Sequence, residues 1–413
     1  MVCLKMNRHM RLLNIFLFLL TLVFFSCANL PPVKYTKESP EKTGEPVIPP
    51  AAGSGITGSL PGPEHPEEDF LTIVAAGDNL FHAVMIKDGE EGDYKSIYQE
   101  IRALVEPADI AFINQETLLA GEDFGFSGYP KFNTPRNVGQ AITEAGFTVI
   151  NHATNHVMDR DERAILATIG FWDEIPQVTV LGIHRSEEQR NLPVLVKKNN
   201  ITVGFLSYTY GTNGIPVPSD KPFLTSLIDT EIMGKEIDAL RPLCDFLVVS
   251  MHWGKEYQTD YDKKQEDLVT FLAEHRVDLV IGHHPHVIQP IQYIVRPDGG
   301  NMLCFYSLGN LISAQTQNPT LLGALAYIRI KKIPATGYET AKIVFSGIGA
   351  IPIVTHFEKN FTGFKVYPLF AYTDELLAKH WKNQAKKELT MDYLTGLAAA
   401  TLGDREIRQN PFN

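Results

Sequence analysis

The chain has 413 residues and is 44% apolar, enough to bury a large core in one big domain or two smaller ones. Its net charge of −11, from 48 acidic against 37 basic residues, argues against a general nucleic-acid or anionic-surface binder. Charges of both signs are interspersed, and no internal repeat is present.

The N-terminus reads as a processing signal. Lys5, Arg8 and Arg11 form a positive start, and Leu12 to Phe25 an apolar run that stops at Ser26-Cys27. That run is shorter than the roughly 20 residues a membrane-spanning helix needs. A small residue directly before Cys27 resembles a bacterial lipobox, making 1–27 a lipoprotein-type signal segment with Cys27 as the lipidation site. Phe24 and Phe25 depart from the usual pattern there, so simple cleavage and a retained anchor are the alternatives. On each reading the folded part is exported, and on the first it is a membrane-anchored lipoprotein of the cell envelope. Residues 28–69 are dense in Pro, Gly and Glu and poor in large apolar residues, as in a disordered tether.

From Phe70 onward, strand-like runs alternate with helix-like ones, the pattern of an α/β layered sheet. The expected strands are 70–78, 108–116, 147–156, 179–183, 244–254, 277–286 and 302–310, with a hairpin turning at Asn199-Asn200. Helical spacing is expected in 95–106, 138–146, 162–175, 231–241 and 265–276. After Ser313, strands without intervening helices read as antiparallel additions to the sheet. One domain is expected over 70–372, followed by a helical extension over 373–413. Cys244 and Cys304, each in an apolar run, are read as free buried thiols.

Polar residues collect where the apolar runs stop: Asp78, Asn114 and Glu116, Asn155 and His156, His252 and Glu256, then His283, His284 and His286, then Asn310. In open α/β sheets, ligands bind beyond the carboxyl ends of the strands. Imidazole and carboxylate without thiolate suit a divalent transition metal such as Mn, Zn or Fe. Taken singly, each residue has a blander explanation. Asn310 after a glycine and Asp159 read as turn or cap residues; Glu256, Asp260 and Asp262 read as solvated loop charges. GHHPH resists that explanation, because in an extended segment His284 and His286 project to one side and reach one centre.

The segments AAGDN, ADIAFINQET, GFTVINHATNHVMD, VVSMHWGKEY, VIGHHPHVIQP and FYSLGN resemble, in order, those of CapA-type proteins. These form the capsule and poly-γ-glutamate synthesis family, related to calcineurin-like metallophosphoesterases. The resemblance runs from about Leu71 to Ser313. It departs at Thr154, where the family usually has Asn, at Gln115, where it has Leu, and at Leu311, where Phe is usual. It implies a four-layer α/β/β/α sandwich and one or two divalent metal ions. By that analogy Asp78 binds one metal, Glu116 bridges two, and Asn155, His252 and His284 serve the second, with His286 returning to the first. His156 is then the proton donor, while Asn114, Glu256, His283 and Asn310 support the ligands or the substrate. The Asp-x-His of the first phosphoesterase motif reads Asp78-Asn79-Leu80, leaving His283 or Asn79 to compensate.

The function implied is an exported protein of capsule or poly-γ-glutamate biosynthesis with a metal-dependent hydrolase-type site. An anionic envelope polymer or a phosphoester is the expected substrate, membrane-embedded polymer-synthesis subunits are the expected partners, and no nucleic acid is expected. The alternative is a non-catalytic accessory subunit; a substrate-binding lipoprotein would not need the metal-like rim. No G-x-x-x-x-G-K-[ST] occurs, which argues against the chain being the ATP-dependent ligase itself.

Overall fold

A computed structural model describes residues 69–412 apart from 91–92, 336–340 and 386–387. The signal segment with Cys27, and the tether up to residue 68, lie outside the described residues.

The strands, in chain order, are β1 (Phe70–Asn79), β2 (Ile110–Gln115), β3 (Val149–Asn151), β4 (Thr179–Leu181), β5 (Val194–Lys198), β6 (Ile201–Thr209) and β7 (Phe246–His252). They continue with β8 (Leu279–His283), β9 (Ile291–Val295), β10 (Asn301–Phe305), β11 (Asn310–Ile312), β12 (Leu322–Ile333), β13 (Lys342–Glu358) and β14 (Thr362–Pro368). They form two sheets. The eight-stranded one runs β14-β13-β12-β1-β2-β3-β4 with β11 also paired to β1, and the six-stranded one runs β5-β6-β7-β8-β10-β9.

Burial explains why the central strands read as continuous apolar runs. Strands β1, β2, β7 and β8 are covered on both faces, which is where parallel strands are stable. Phe205, Val248, Ile281 and Phe305 of the six-stranded sheet share one core with Ile73, Phe112 and Ile328 of the other. Helices 230–240 and 263–274 cover the outer face of the six-stranded sheet, with Met233, Ile237 and Leu272 against Leu247, Val249 and Val280. Helices 136–144 and 161–173 pack Val138, Ile142, Phe171 and Trp172 on the larger sheet. The result is the four-layer α/β/β/α sandwich.

Local chemistry sets several boundaries. Helix 263–274 starts at a reciprocal cap between Asp262 and Gln265, so Asp262 is a capping residue rather than a loose loop charge. Asn199 and Asn200, with φ of 48° and 60°, make the expected hairpin between β5 and β6. Strands β12 to β14 extend the larger sheet antiparallel, as the change of character after Ser313 predicts. Helices 374–379, 381–385 and 391–402 follow, and Leu394, Ala398 and Leu402 join the main core. Cys244 and Cys304 are free thiols, Cys304 buried on β10 and Cys244 half-buried before β7. Among the described residues, no helix is long and apolar enough to cross a membrane.

Three expected elements break, each for a physical reason. The run 147–156 is a strand only to Asn151, because Thr154 ties its hydroxyl to the Glu116 carbonyl and turns the chain. Helix 95–106 is interrupted by a 3₁₀ turn at Gln99–Ile101. MLCFYSLGN, expected as one strand, divides into β10 and β11, which lie in different sheets. The segment between them crosses from sheet to sheet. A Cβ at Gly282 would stand 1.9 Å from the Tyr306 carbonyl oxygen, and one at Gly77 2.0 Å from that of Gly309. Both glycines make room for the crossing.

Candidate metal centre

The crossing brings the carboxyl ends of both sheets to one place. Asp78 is in register with Asn114 on β2, and Asn114 with Asn151 on β3. Their side chains form a ladder: the Asn151 amide donates to Asn114 Oδ1 at 2.7 Å, and the Asn114 amide donates to Asp78 Oδ1 at 2.8 Å. Asp78 is thereby fixed from the side by two neighbouring strands. From the other sheet, His252 at the end of β7 is in register with His283 at the end of β8.

His284 and His286 arrive differently from the expectation. Strand β8 stops at His283, and His284 and His286 have φ of 97° and 58°, so strand alternation does not place them. The turn through Pro285 gives them different neighbours while keeping their rings 6.0 Å apart. The His284 ring lies 4.9 Å from that of His252, while His286 Nδ1–H donates to Asp78 Oδ2 at 2.9 Å. The His284 main-chain N–H also donates to Asp78 Oδ2, at 3.2 Å.

Glu116 sits between these groups. Its Oε1 is 3.7 Å from His252 Nε2, its Oε2 is 3.9 Å from His286 Nδ1, and among the described residues neither buried oxygen accepts a hydrogen bond. Glu116, His252 and His284 present ligand atoms within 4.8 Å of one another; so do Asp78, Glu116 and His286, and so do Glu256, His284 and His286. Glu116 belongs to two of these groups, and exposed Glu256 closes the third from the rim. Asn155 Oδ1 accepts from His252 Nε2 at 2.9 Å, beside the first group.

The electrostatics fit a cation. Burial pushes the Glu116 carboxyl well above its usual range, and the Asp78 charge adds to that. Burial alone would raise Asp78 too, but the hydrogen bond and charge of His286 hold it below the ordinary value. Burial lowers His252 strongly, His284 to about 3 and His283 to about 4, so these imidazoles are neutral near pH 7 with lone pairs to offer. Burial opposes a charge on His286 as well, yet Glu116 and Asp78 raise it to about 9. A buried Glu116 carboxyl whose two oxygens are unpartnered among the described residues, beside the neutral His252 and His284, is costly by itself and suits a divalent ion.

His156 lies beside this cluster. Its Nδ1–H donates to Asp159 Oδ2 at 2.7 Å, and Phe132 meets its ring edge-on at 4.6 Å. Asp159 also accepts the Phe132 main-chain N–H at 2.8 Å, so it is the expected turn residue, its own N–H on the His156 carbonyl, and His156's side-chain partner as well. Asn79 does not compensate for the missing motif histidine. Adjacent strand residues face opposite ways, and the Asn79 amide is spent on Gln115 Oε1 (2.6 Å) and the Tyr98 hydroxyl (2.8 Å). Asn310 is in register with Asp78, but its amide donates to Gln315 Oε1 and the Thr320 carbonyl, not to a site residue.

Several neighbours escaped the sequence reading. Asn213 accepts from the Asn155 amide at 3.1 Å and lies 3.3 Å from His156 Nδ1. It stands just past the end of β6, where the strand-end rule would have found it. Tyr210, from the same loop, lies 4.5 Å ring to ring from His284. His82 lies edge-on to Phe132 at 5.4 Å, four residues after Asp78, and no spacing signal marks it.

A four-layer sandwich with carboxylates and histidines converging between its sheets defines an α/β protein with a candidate divalent-metal centre. The family model described as "Bacterial capsule synthesis protein PGA_cap" matches residues 72–315, and the chain belongs to that family. It is similar to the PGA biosynthesis protein CapA of Bacillus subtilis (strain 168), 26% identical over 281 residues, covering 67% of this chain and 72% of that protein. It is likewise similar to the capsule biosynthesis protein CapA of Bacillus anthracis, 26% identical over 310 residues, covering 72% and 73%. Among solved structures, the NAD nucleotidase of Haemophilus influenzae aligns with a TM-score of 0.42 and 10% identity, over 83% of this chain and 64% of that one. A hypothetical protein from Thermus thermophilus aligns with a TM-score of 0.39 and 11% identity, over 67% and 99%.

Proposed function

We propose that this capsule-synthesis protein is an exported, lipid-anchored component of the cell envelope with a metal-dependent hydrolase-type site. It would act on an anionic envelope polymer or a phosphoester beside membrane-embedded synthesis subunits. The observation that carries the reading is Glu116, a buried carboxyl without a hydrogen bond among the described residues, shared by two sets of ligand-competent side chains. Asp78, Glu116 and His286 would hold one ion, and Glu116, His252 and His284 a second, with Asn155 beside it. Mn, Zn and Fe suit such a donor set.

When bound, the ions would supply Lewis acidity and a water of lowered pKa. The chain's own residues do the rest. Asp159 fixes the His156 ring through Nδ1, leaving Nε2 to deliver a proton to a leaving oxygen or nitrogen. Phe132 and Asn213 limit the ring's rotation. The Asn114–Asn151 ladder keeps Asp78 in one orientation.

The anchoring half rests on the Ser26-Cys27 junction and its preceding apolar run. Cys27→Ser should release the protein from the membrane fraction; unchanged fractionation would contradict lipidation. For the site, metal content comes first, then phosphodiesterase and γ-glutamyl hydrolase assays on wild type and His156→Ala. Bound metal with turnover lost in His156→Ala supports the hydrolase. The similar CapA proteins carry biosynthesis names, which favours an accessory subunit as the second reading; bound metal with no turnover on either substrate class would select it.

A further inference from the structure

His283 is buried completely, yet neither of its ring nitrogens makes a hydrogen bond among the described residues. Its ring stacks on Phe112 at 5.6 Å and 13°, and its main chain is locked between β7 and the Trp253 N–H, which donates to the His283 carbonyl. The position is rigid and apolar on one side. An aliphatic or aromatic side chain would fill it without the desolvation cost that an unpaired buried polar group carries. What faces the imidazole on its other side is Asp78, whose Oδ1 lies 3.8 Å from His283 Nδ1. That separation is too long for a hydrogen bond.

We propose that His283 is the positioning residue for Asp78 in the metal-loaded protein, holding Oδ1 once His286 leaves the carboxylate for the ion. The inference rests on the metal reading of the site. In this structure His286 Nδ1 is the nitrogen that faces both carboxylates, at 2.9 Å from Asp78 Oδ2 and 3.9 Å from Glu116 Oε2. One nitrogen cannot donate a proton to Asp78 and a lone pair to a cation at the same time. Binding an ion through it therefore removes a donor from Asp78, and a ligating carboxylate needs donors behind it to stay oriented. Asn114 remains on Oδ1 and the His284 main-chain N–H on Oδ2, and His283 is the unused side-chain donor beside Oδ1. A shift of about 0.8 Å would bring His283 within ordinary hydrogen-bond reach. Asn79, the other residue placed to compensate for the missing motif histidine, is already committed elsewhere.

The test sets stability against affinity. His283→Phe keeps the stacked ring and removes the unpaired nitrogens; His283→Gln keeps a donor. Mn²⁺ and Zn²⁺ titrations of the full folded chain are read by calorimetry, and the metal-free Tm is read separately. His283→Phe should keep or raise the metal-free Tm while weakening binding by about 10–100-fold, as for other partners behind metal ligands. His283→Gln should recover most of that affinity. His283→Leu gives the same reading if His283→Phe does not fold. Wild-type affinity in His283→Phe or His283→Leu, with metal bound by both proteins, would overturn this inference alone. Equal loss of affinity in His283→Gln would overturn it too. A wild type that binds neither ion would overturn both this inference and the metal reading beneath it.

Discussion

Two buried histidine clusters in this chain behave in opposite ways. Beneath the C-terminal helices, His356 is held through Nδ1 by the Tyr372 hydroxyl at 2.7 Å. His380 is held at both ring nitrogens, by the Thr355 carbonyl and the Lys382 N–H. At the carboxyl ends of the strands, among the described residues, His283 has no hydrogen-bond partner at either nitrogen, His284 Nδ1 has none, and Glu116 has none at either oxygen. Burial is similar, so burial does not distinguish structure from function here. Satisfaction does: the first cluster completes a core, while the second carries donors and acceptors unspent among the described residues.

The largest expected effect separates catalysis from binding within the second cluster. His156→Ala should lower turnover by about 10²–10⁴-fold, the usual worth of a positioned proton donor, while leaving metal stoichiometry unchanged. Loss of metal in that variant would merge the two roles. Next, Glu116→Gln should weaken metal binding beyond the ~10–100-fold typical of outer partners. It should not lower the metal-free Tm, since neither buried carboxyl oxygen makes a hydrogen bond among the described residues that the change would remove. A large fall in that Tm would place Glu116 with the structural cluster instead.

The contrast also predicts opposite outcomes for two alanine variants. His380→Ala should cost about 2–4 kcal/mol of stability, measured by denaturant unfolding, because it leaves a cavity under Phe357 and an orphaned carbonyl. Its metal affinity should match wild type. His284→Ala should do the reverse, and the same outcome for both would dissolve the distinction.

The smallest effects are in pH. Burial pushes His356 down to about 3 and His380 to about 4, below the unfolded value near 6.5. The unfolded chain thus binds more protons in that window. Stability should be complete above about pH 6.5 and fall progressively toward pH 4. His286, raised to about 9 against the effect of burial, has the other sign. Its proton competes with a metal, so apparent metal affinity should rise with pH up to about 9. An affinity independent of pH between 7 and 9 would exclude His286 as a ligand.

Much of this was legible in the sequence, for identifiable reasons. Alternation of apolar runs and helical spacing gave the layers, and the rule that polar residues gather at strand ends found Asp78, Glu116, His252 and the GHHPH histidines. That rule works because the two sheets bring their carboxyl ends together. It failed where local geometry replaces periodicity. The positive-φ residues on either side of Pro285, not strand alternation, place His284 and His286. The split of MLCFYSLGN into two sheets depends on Gly77 and Gly282 standing against the crossing segment, a contact between positions distant in sequence. Asp159 is the turn residue its position suggests, but its side-chain role depends on the fold of 154–159 around His156 and carries no sequence signal. Asn310 stands in register with Asp78; its amide N–H groups go to Gln315 and Thr320, while its buried Oδ1 has no hydrogen bond among the described residues.

The most direct test of the central claim is anomalous diffraction from crystals of the Mn²⁺-loaded protein, collected on both sides of the metal edge. The account predicts a peak between Asp78, Glu116 and His286 or between Glu116, His252 and His284, with Glu116 bridging when both are filled. Crystals soaked in the ion that show no peak at Glu116 would contradict it.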